Sequence, residues 1–182
     1  AGAEAARDTL LKDNASFYDV NTRSKKFSDT FSKALAHYTM GIIYDNDSKL
    51  DDAIREYNSA LSLETGVGYI HLRLGVDYFL NKNIDKAIEE FKIAKTLSPA
   101  DTKPRFLLAL AHTAKNEFDI AQKEYEDIVR LNPNDIAALG SLADLLVVQE
   151  KMADAASIYE KLVEKENPAM RQGRLTRLWV GA

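Results

Sequence analysis

The sequence predicts an all-α solenoid of four stacked helical hairpins, and three observations carry the prediction. Alanine recurs at Ala53, Ala87, Ala121 and Ala155, each 34 residues after the last. An aromatic ring follows each alanine four positions later, at Tyr57, Phe91, Tyr125 and Tyr159. Upstream, a second helical pattern holds Gly41, Gly75, Ala109 and Ala143 in the same register. A fixed period between about 20 and 50 residues marks stacked supersecondary units, because each hairpin has an apolar face that only its neighbour can bury.

Residues 1–33 come first and are not a degenerate copy, since Asp19, Arg23 and Lys26 stand where the period asks for alanine, a ring and alanine. Arg7 to Val20 carries Leu10, Leu11, Phe17 and Tyr18 near helical spacing, and the polar stretch from Asn21 to Lys26 breaks it. Phe27, Phe31, Leu35, Tyr38 and Ile42 then form a stripe at four- and three-residue steps, so the first repeat helix should start early, near Ser24 or Ser28. The segment is placed to cap the first hairpin.

The repeats follow as residues 34–67, 68–101, 102–135 and 136–169. Position 7 of each is bulky (Met40, Leu74, Leu108, Leu142), and position 11 reads Tyr44, Tyr78, His112 and Leu146. The small residues at positions 8 and 20 let two helices approach, and the ring at position 24 fills the space they leave. Position 17 (Leu50, Ile84, Phe118, Met152) is expected to plug the base of each turn. Pro99 and Pro133 should stop the second helices of copies two and three, where Thr65 and Asn167-Pro168 depart from the pattern. Ile128 and Leu162 replace a small residue at position 27 and call for local repacking in copies three and four. Residues 170–182, with Met170, Leu175, Leu178 and Trp179, are either a short capping helix or a truncated end.

This pattern of bulky, small and aromatic positions with a late proline resembles the tetratricopeptide repeat family over about three quarters of the chain. The resemblance implies a right-handed α-solenoid with helical flanking caps, and a peptide or partner helix held on its inner surface by positions 2, 5, 9 and 12 of the first helices. Those positions nominate Leu35, Tyr69 and Lys103; Tyr38, Leu72 and Phe106; Ile42, Val76 and Leu110; and Phe79, with Arg73 beside them. Family members that clamp a chaperone's terminal carboxylate need Lys, Asn, Asn, Lys and Arg at set places. This chain offers Tyr38, Ile42, Arg73, Lys103 and Leu107, of which only Lys103 fits. The asparagine ladder of other members is replaced by Thr39, Arg73, Leu107 and Ser141. An apolar or amphipathic segment is therefore the expected ligand.

Composition narrows the alternatives. With 46% hydrophobic and 29% charged residues the chain reads as an ordinary globular one, and no apolar run reaches the roughly 20 residues that cross a bilayer. The repeat block holds 23 acidic against 15 basic residues, a formal charge of −8, which disfavours nucleic acid because no basic stripe meets the phosphates. The absence of cysteine removes thiolate chemistry and selects no compartment. The cytoplasm is the default, with periplasm or export the alternative if Ala1 is a processed start; the sequons at Asn14 and Asn46 matter only in a eukaryotic secretory setting.

Enzymatic readings find no footing, and neither a cofactor nor a metal is expected. His37 and His71 both fall at position 4, where a packing ring is wanted, and no carboxylate stands beside them at the H-E-x-x-H spacing. Gly66-Val67-Gly68 lacks the strand, third glycine and helix of a phosphate cradle. Two functions remain: an adaptor with an apolar groove, and a scaffold that self-associates as a homo-oligomer. The groove could also be masked by the chain's own amino-terminal segment, since a bare apolar trough is a liability on a monomer.

Overall fold

The computed structural model describes residues 29–166, and every regular element among them is helical. Helix α1 covers 29–46 of the described chain, followed by α2 (Leu50–Leu63), α3 (Gly68–Leu80), α4 (Ile84–Leu97), α5 (Lys103–Ala114), α6 (Phe118–Leu131), α7 (Ile136–Val148) and α8 (Met152–Glu166). The amino-terminal cap, the start of α1 and the carboxy-terminal segment lie outside the described residues. The chain divides into two compact units between Ile70 and His71, inside α3.

Each hairpin turns in the same way. The amide of Lys49 donates to the Tyr44 carbonyl, Asn83 to Tyr78, Glu117 to His112 and Lys151 to Leu146, at 2.8–2.9 Å. These bonds close the first helix with a Schellman motif, whose key residue must take a left-handed backbone. That residue is Ser48, Lys82, Asn116 or Glu150, at φ 59–64° and at repeat position 15 every time. Second helices then start at once. Asn83 caps α4 by accepting from the Lys86 amide, and Asp135 caps α7 by accepting from Ala138. The helices α4 and α6 end at Leu97 and Leu131, two residues before Pro99 and Pro133.

In the first unit, Tyr57 is wholly buried against Gly41, where an added Cβ would lie 2.4 Å from the Tyr57 ring. The Tyr57 hydroxyl, which burial would otherwise strand, donates to Asp45 Oδ2 at 2.5 Å. Ala53 and Ala60 are buried on the same face of α2.

In the second unit the same device repeats. Gly75 backs onto Phe91, with an imagined Cβ 2.5 Å from the ring, and Phe91 joins Ala87, Ile88, Ala94, Leu108 and Ala111 in one core cluster. A second cluster holds Ala109, Ala121, Tyr125, Ile128, Leu142 and Ala155. Helix α5 feeds both, Leu108 and Ala111 into one and Ala109 into the other, so it is buried on two sides. Ile128 at position 27 is fully enclosed despite its extra bulk. Position 17 behaves unevenly: Ile84 and Phe118 pack against the clusters, whereas Met152 is 56% exposed and plugs nothing.

Candidate peptide-binding face

In the first unit the predicted residues Leu35, Tyr38 and Tyr69 meet around one apolar pocket of about 200 Å³. Helix α1 supplies Phe31, Ala34, Leu35 and Tyr38; the loop after α2 supplies Glu64 and Val67; the start of α3 supplies Tyr69 and Ile70. Tyr38 is the hub. Its ring lies 6.0 Å from Tyr57 and 5.9 Å from Tyr69, the latter edge to face at 69°. Buried Tyr57 thus anchors Tyr38, and Tyr38 orients the outermost ring. Phe31 and Leu35 remain about half exposed, Val67 and Tyr69 only slightly less so. Ile42 is half-buried on the same helix and does not reach the pocket.

In the second unit the nominated residues separate into three groups. Lys103 and Leu110 are exposed; Arg73, Val76, Phe79 and Phe106 are half-buried; Leu72 is buried. Val76 and Phe79 lean on the cluster around Phe91, and Phe106 meets the Tyr125 ring edge to face at 5.6 Å. Leu72 corrects the sequence reading. It is 8% exposed and a member of the core cluster, because position 5 borders the buried stripe of the helix and here falls inside it. Position 2 is exposed in all four copies, at Leu35, Tyr69, Lys103 and Ala137.

The histidines are held by carboxylates. Nδ1 of His37 lies 2.7 Å from Glu56 Oε2, and Nδ1 of His71 lies 2.6 Å from Glu90 Oε2. These pairs join positions 4 and 23 across the hairpin, and the shared 19-residue separation was a signal in the sequence that packing arguments passed over. In the third copy the positions hold Arg105 and Glu124, but Glu124 takes Lys95 at 2.6 Å and Arg105 donates to the Pro99 carbonyl. His112 reaches Glu117 at 2.6 Å, and this hydrogen bond is the foremost cause holding the Glu117 carboxyl below its usual range. No cluster of potential metal ligands occurs among the described residues. Sequence reasoning also missed Val67, Ile70 and Glu64 as pocket walls, since they lie outside the first-helix positions it examined.

Comparison with curated protein sequences finds no match. Solved structures do match. The chain is similar to the first TPR domain of Spaghetti (RPAP3), solved with the HSP90 peptide SRMEEVD, at 24% identity and TM-score 0.62 over 66% of this chain and 95% of that one. It is similar to MamA at 22% identity and TM-score 0.71, over 81% and 86% of the two chains, and to the Arabidopsis OM64 TPR domain at 12% identity and TM-score 0.60, over 64% and 96%. These likenesses show the fold, an all-α helical repeat solenoid. The family model described as tetratricopeptide repeat matches residues 38–102 and 106–175, most of the chain, and the protein belongs to that family.

Proposed function

We propose that the chain is a non-enzymatic interaction adaptor that holds an apolar or amphipathic segment of a protein partner on the exposed faces of its first helices. The observation that carries this reading is the pocket at Phe31, Leu35, Val67 and Tyr69, where four large apolar side chains stay open to solvent around one recess. Exposed aromatic anchors of this kind supply most of the affinity at protein interfaces. The RPAP3 domain is solved with an HSP90 peptide, SRMEEVD. Here the clamp positions hold Tyr38, Ile42, Arg73, Lys103 and Leu107, so an apolar ligand fits better than a terminal carboxylate.

Leu35→Asp with Tyr69→Asp tests the proposal, because both side chains are exposed and their loss leaves the core whole. A partner captured by the intact chain should be lost by the double variant while helicity by circular dichroism is unchanged. Retention of the partner overturns the groove reading. Leu72→Asp is unsuitable as a groove variant, since it would bury a charge.

Self-assembly is the second reading, favoured by the open Met152, Tyr159 and Val163 of α8. Light scattering over a concentration series separates the two. An oligomer that survives the Leu35→Asp and Tyr69→Asp changes assigns assembly to α8, and a strict monomer removes it.

A further inference from the structure

We infer that the pocket on the first hairpin is filled by the chain's own residues 7–20, an internal ligand that an outside partner must displace. This rests on the reading of that pocket as a ligand face. The pocket has the size and chemistry for it. An apolar cavity of about 150 Å³ accepts a benzene ring, and this one, at about 200 Å³, has room for one aromatic side chain. Glu64 is the sole charged residue among its described walls, so the recess selects an apolar guest.

The tether makes the chain's own segment the favoured guest. Phe31, on the pocket wall, is the third residue of the described part of α1, so the 28 residues before Asp29 enter at the rim. Between Val20 and Phe31 the chain can extend by at most about 40 Å, which is ample for residues 7–20 to turn back across Leu35 and Tyr69. Leu10, Leu11, Phe17 and Tyr18 stand at i, i+1, i+7 and i+8, the spacing of one apolar helix face, and the polar run Asn21 to Lys26 separates them from α1. A short linker holds such a segment at an effective concentration on the order of millimolar. A second copy or a free partner at micromolar concentration competes at a disadvantage, so the internal segment regulates access.

The full-length chain contains no cysteine, which lets one introduced thiol carry a single spin label. Asn14→Cys places the label beside Phe17 without removing an apolar residue. In isotope-labelled protein, the amides of residues 31–38 and 67–70 should lose intensity by paramagnetic broadening, while those of α8 do not. A mixture of spin-labelled, unenriched chains with enriched, unlabelled ones should show no such loss. Broadening in the mixture overturns the proposal in favour of a second copy, and no broadening in either sample overturns it outright. As a second readout, Leu10→Asp with Phe17→Asp in the full chain should raise binding of a hydrophobic dye; unchanged binding counts against occupancy. None of these signals needs a partner. Broadening without partner capture would leave a permanent internal cap and end the adaptor reading, whereas capture without broadening would do the reverse.

Discussion

The second and fourth hairpins carry the same small-and-aromatic pattern, yet their rings meet opposite fates. Phe91 is completely buried, whereas Tyr159 at the same repeat position is 39% exposed. Both face a small residue on the partner helix, Gly75 and Ala143. What differs is the neighbour: Phe91 shares its cluster with Leu108 and Ala111 of the following hairpin, and no described hairpin follows α8. A hairpin of this build therefore seals only half of its own core, and the next one seals the rest.

The largest expected effect breaks the comparison at its centre. Phe91→Ala should cost about 3–5 kcal/mol by leaving a cavity in packed surroundings, while Tyr159→Ala should cost about 1 kcal/mol or less, as for an exposed position. Chemical denaturation of both variants measures the difference. Equal losses would mean that burial of the position-24 ring does not depend on the next hairpin.

The glycines sharpen the same point. A Cβ at Gly75 meets Phe91 ring carbons at 2.5 and 2.6 Å, so Gly75→Ala forces the ring or the helix to move. Overpacking of this kind costs about 1–3 kcal/mol. Gly140, on the fourth hairpin, has no heavy atom within 4 Å of the corresponding point. Gly140→Ala should therefore stabilise by up to about 1 kcal/mol through helix propensity alone. Thermal unfolding of the two variants should shift in opposite directions, and a shift of the same sign would remove the packing account.

Much of this was legible in the sequence, because the period reports packing directly. Gly41 with Tyr57 and Gly75 with Phe91 are complementary volumes 16 residues apart, and the volumes recur. Leu72 shows where the periodicity stops helping. It sits between buried His71 and half-buried Arg73, on the edge of the stripe, and side-chain spacing alone cannot place an edge residue on one side or the other. Phe31 was visible in the apolar stripe, but Val67 and Ile70 come from a loop and the next helix, whose approach is tertiary. The left-handed position 15 was invisible for a chemical reason. Ser48, Lys82, Asn116 and Glu150 share no side-chain property, and only asparagine commonly adopts that backbone.

That turn yields a smaller effect. Glu150→Gly should relieve left-handed strain and stabilise by up to about 1 kcal/mol. Asn116→Gly should gain less, since asparagine already tolerates the conformation. A larger gain at Asn116 than at Glu150 in denaturant titrations would show that strain at position 15 is not what limits these turns.

The smallest effect separates the third and fourth hairpins by pH. The Glu117 carboxyl is held low first by the hydrogen bond from His112, with desolvation opposing and Lys115 assisting. A depressed carboxyl stabilises the folded state above its unfolded value, near 4.3, and that contribution disappears as pH falls through the folded value. The Tyr159 phenol is held high, chiefly by its hydrogen bond to Asp144, with desolvation adding to it. Its contribution is complete below pH 10 or so and is lost as pH rises through the folded value. Glu117→Gln should thus flatten the acid limb of the stability profile, and Tyr159→Phe the alkaline limb, each leaving the other limb unchanged. Both groups lie at the surface, so the changes should be small and should shrink further in high salt. If Glu117→Gln altered the alkaline limb instead, the carboxylate would matter through Lys115, which is held high by Asp85 first and Glu117 second, and the His112 contact would be incidental.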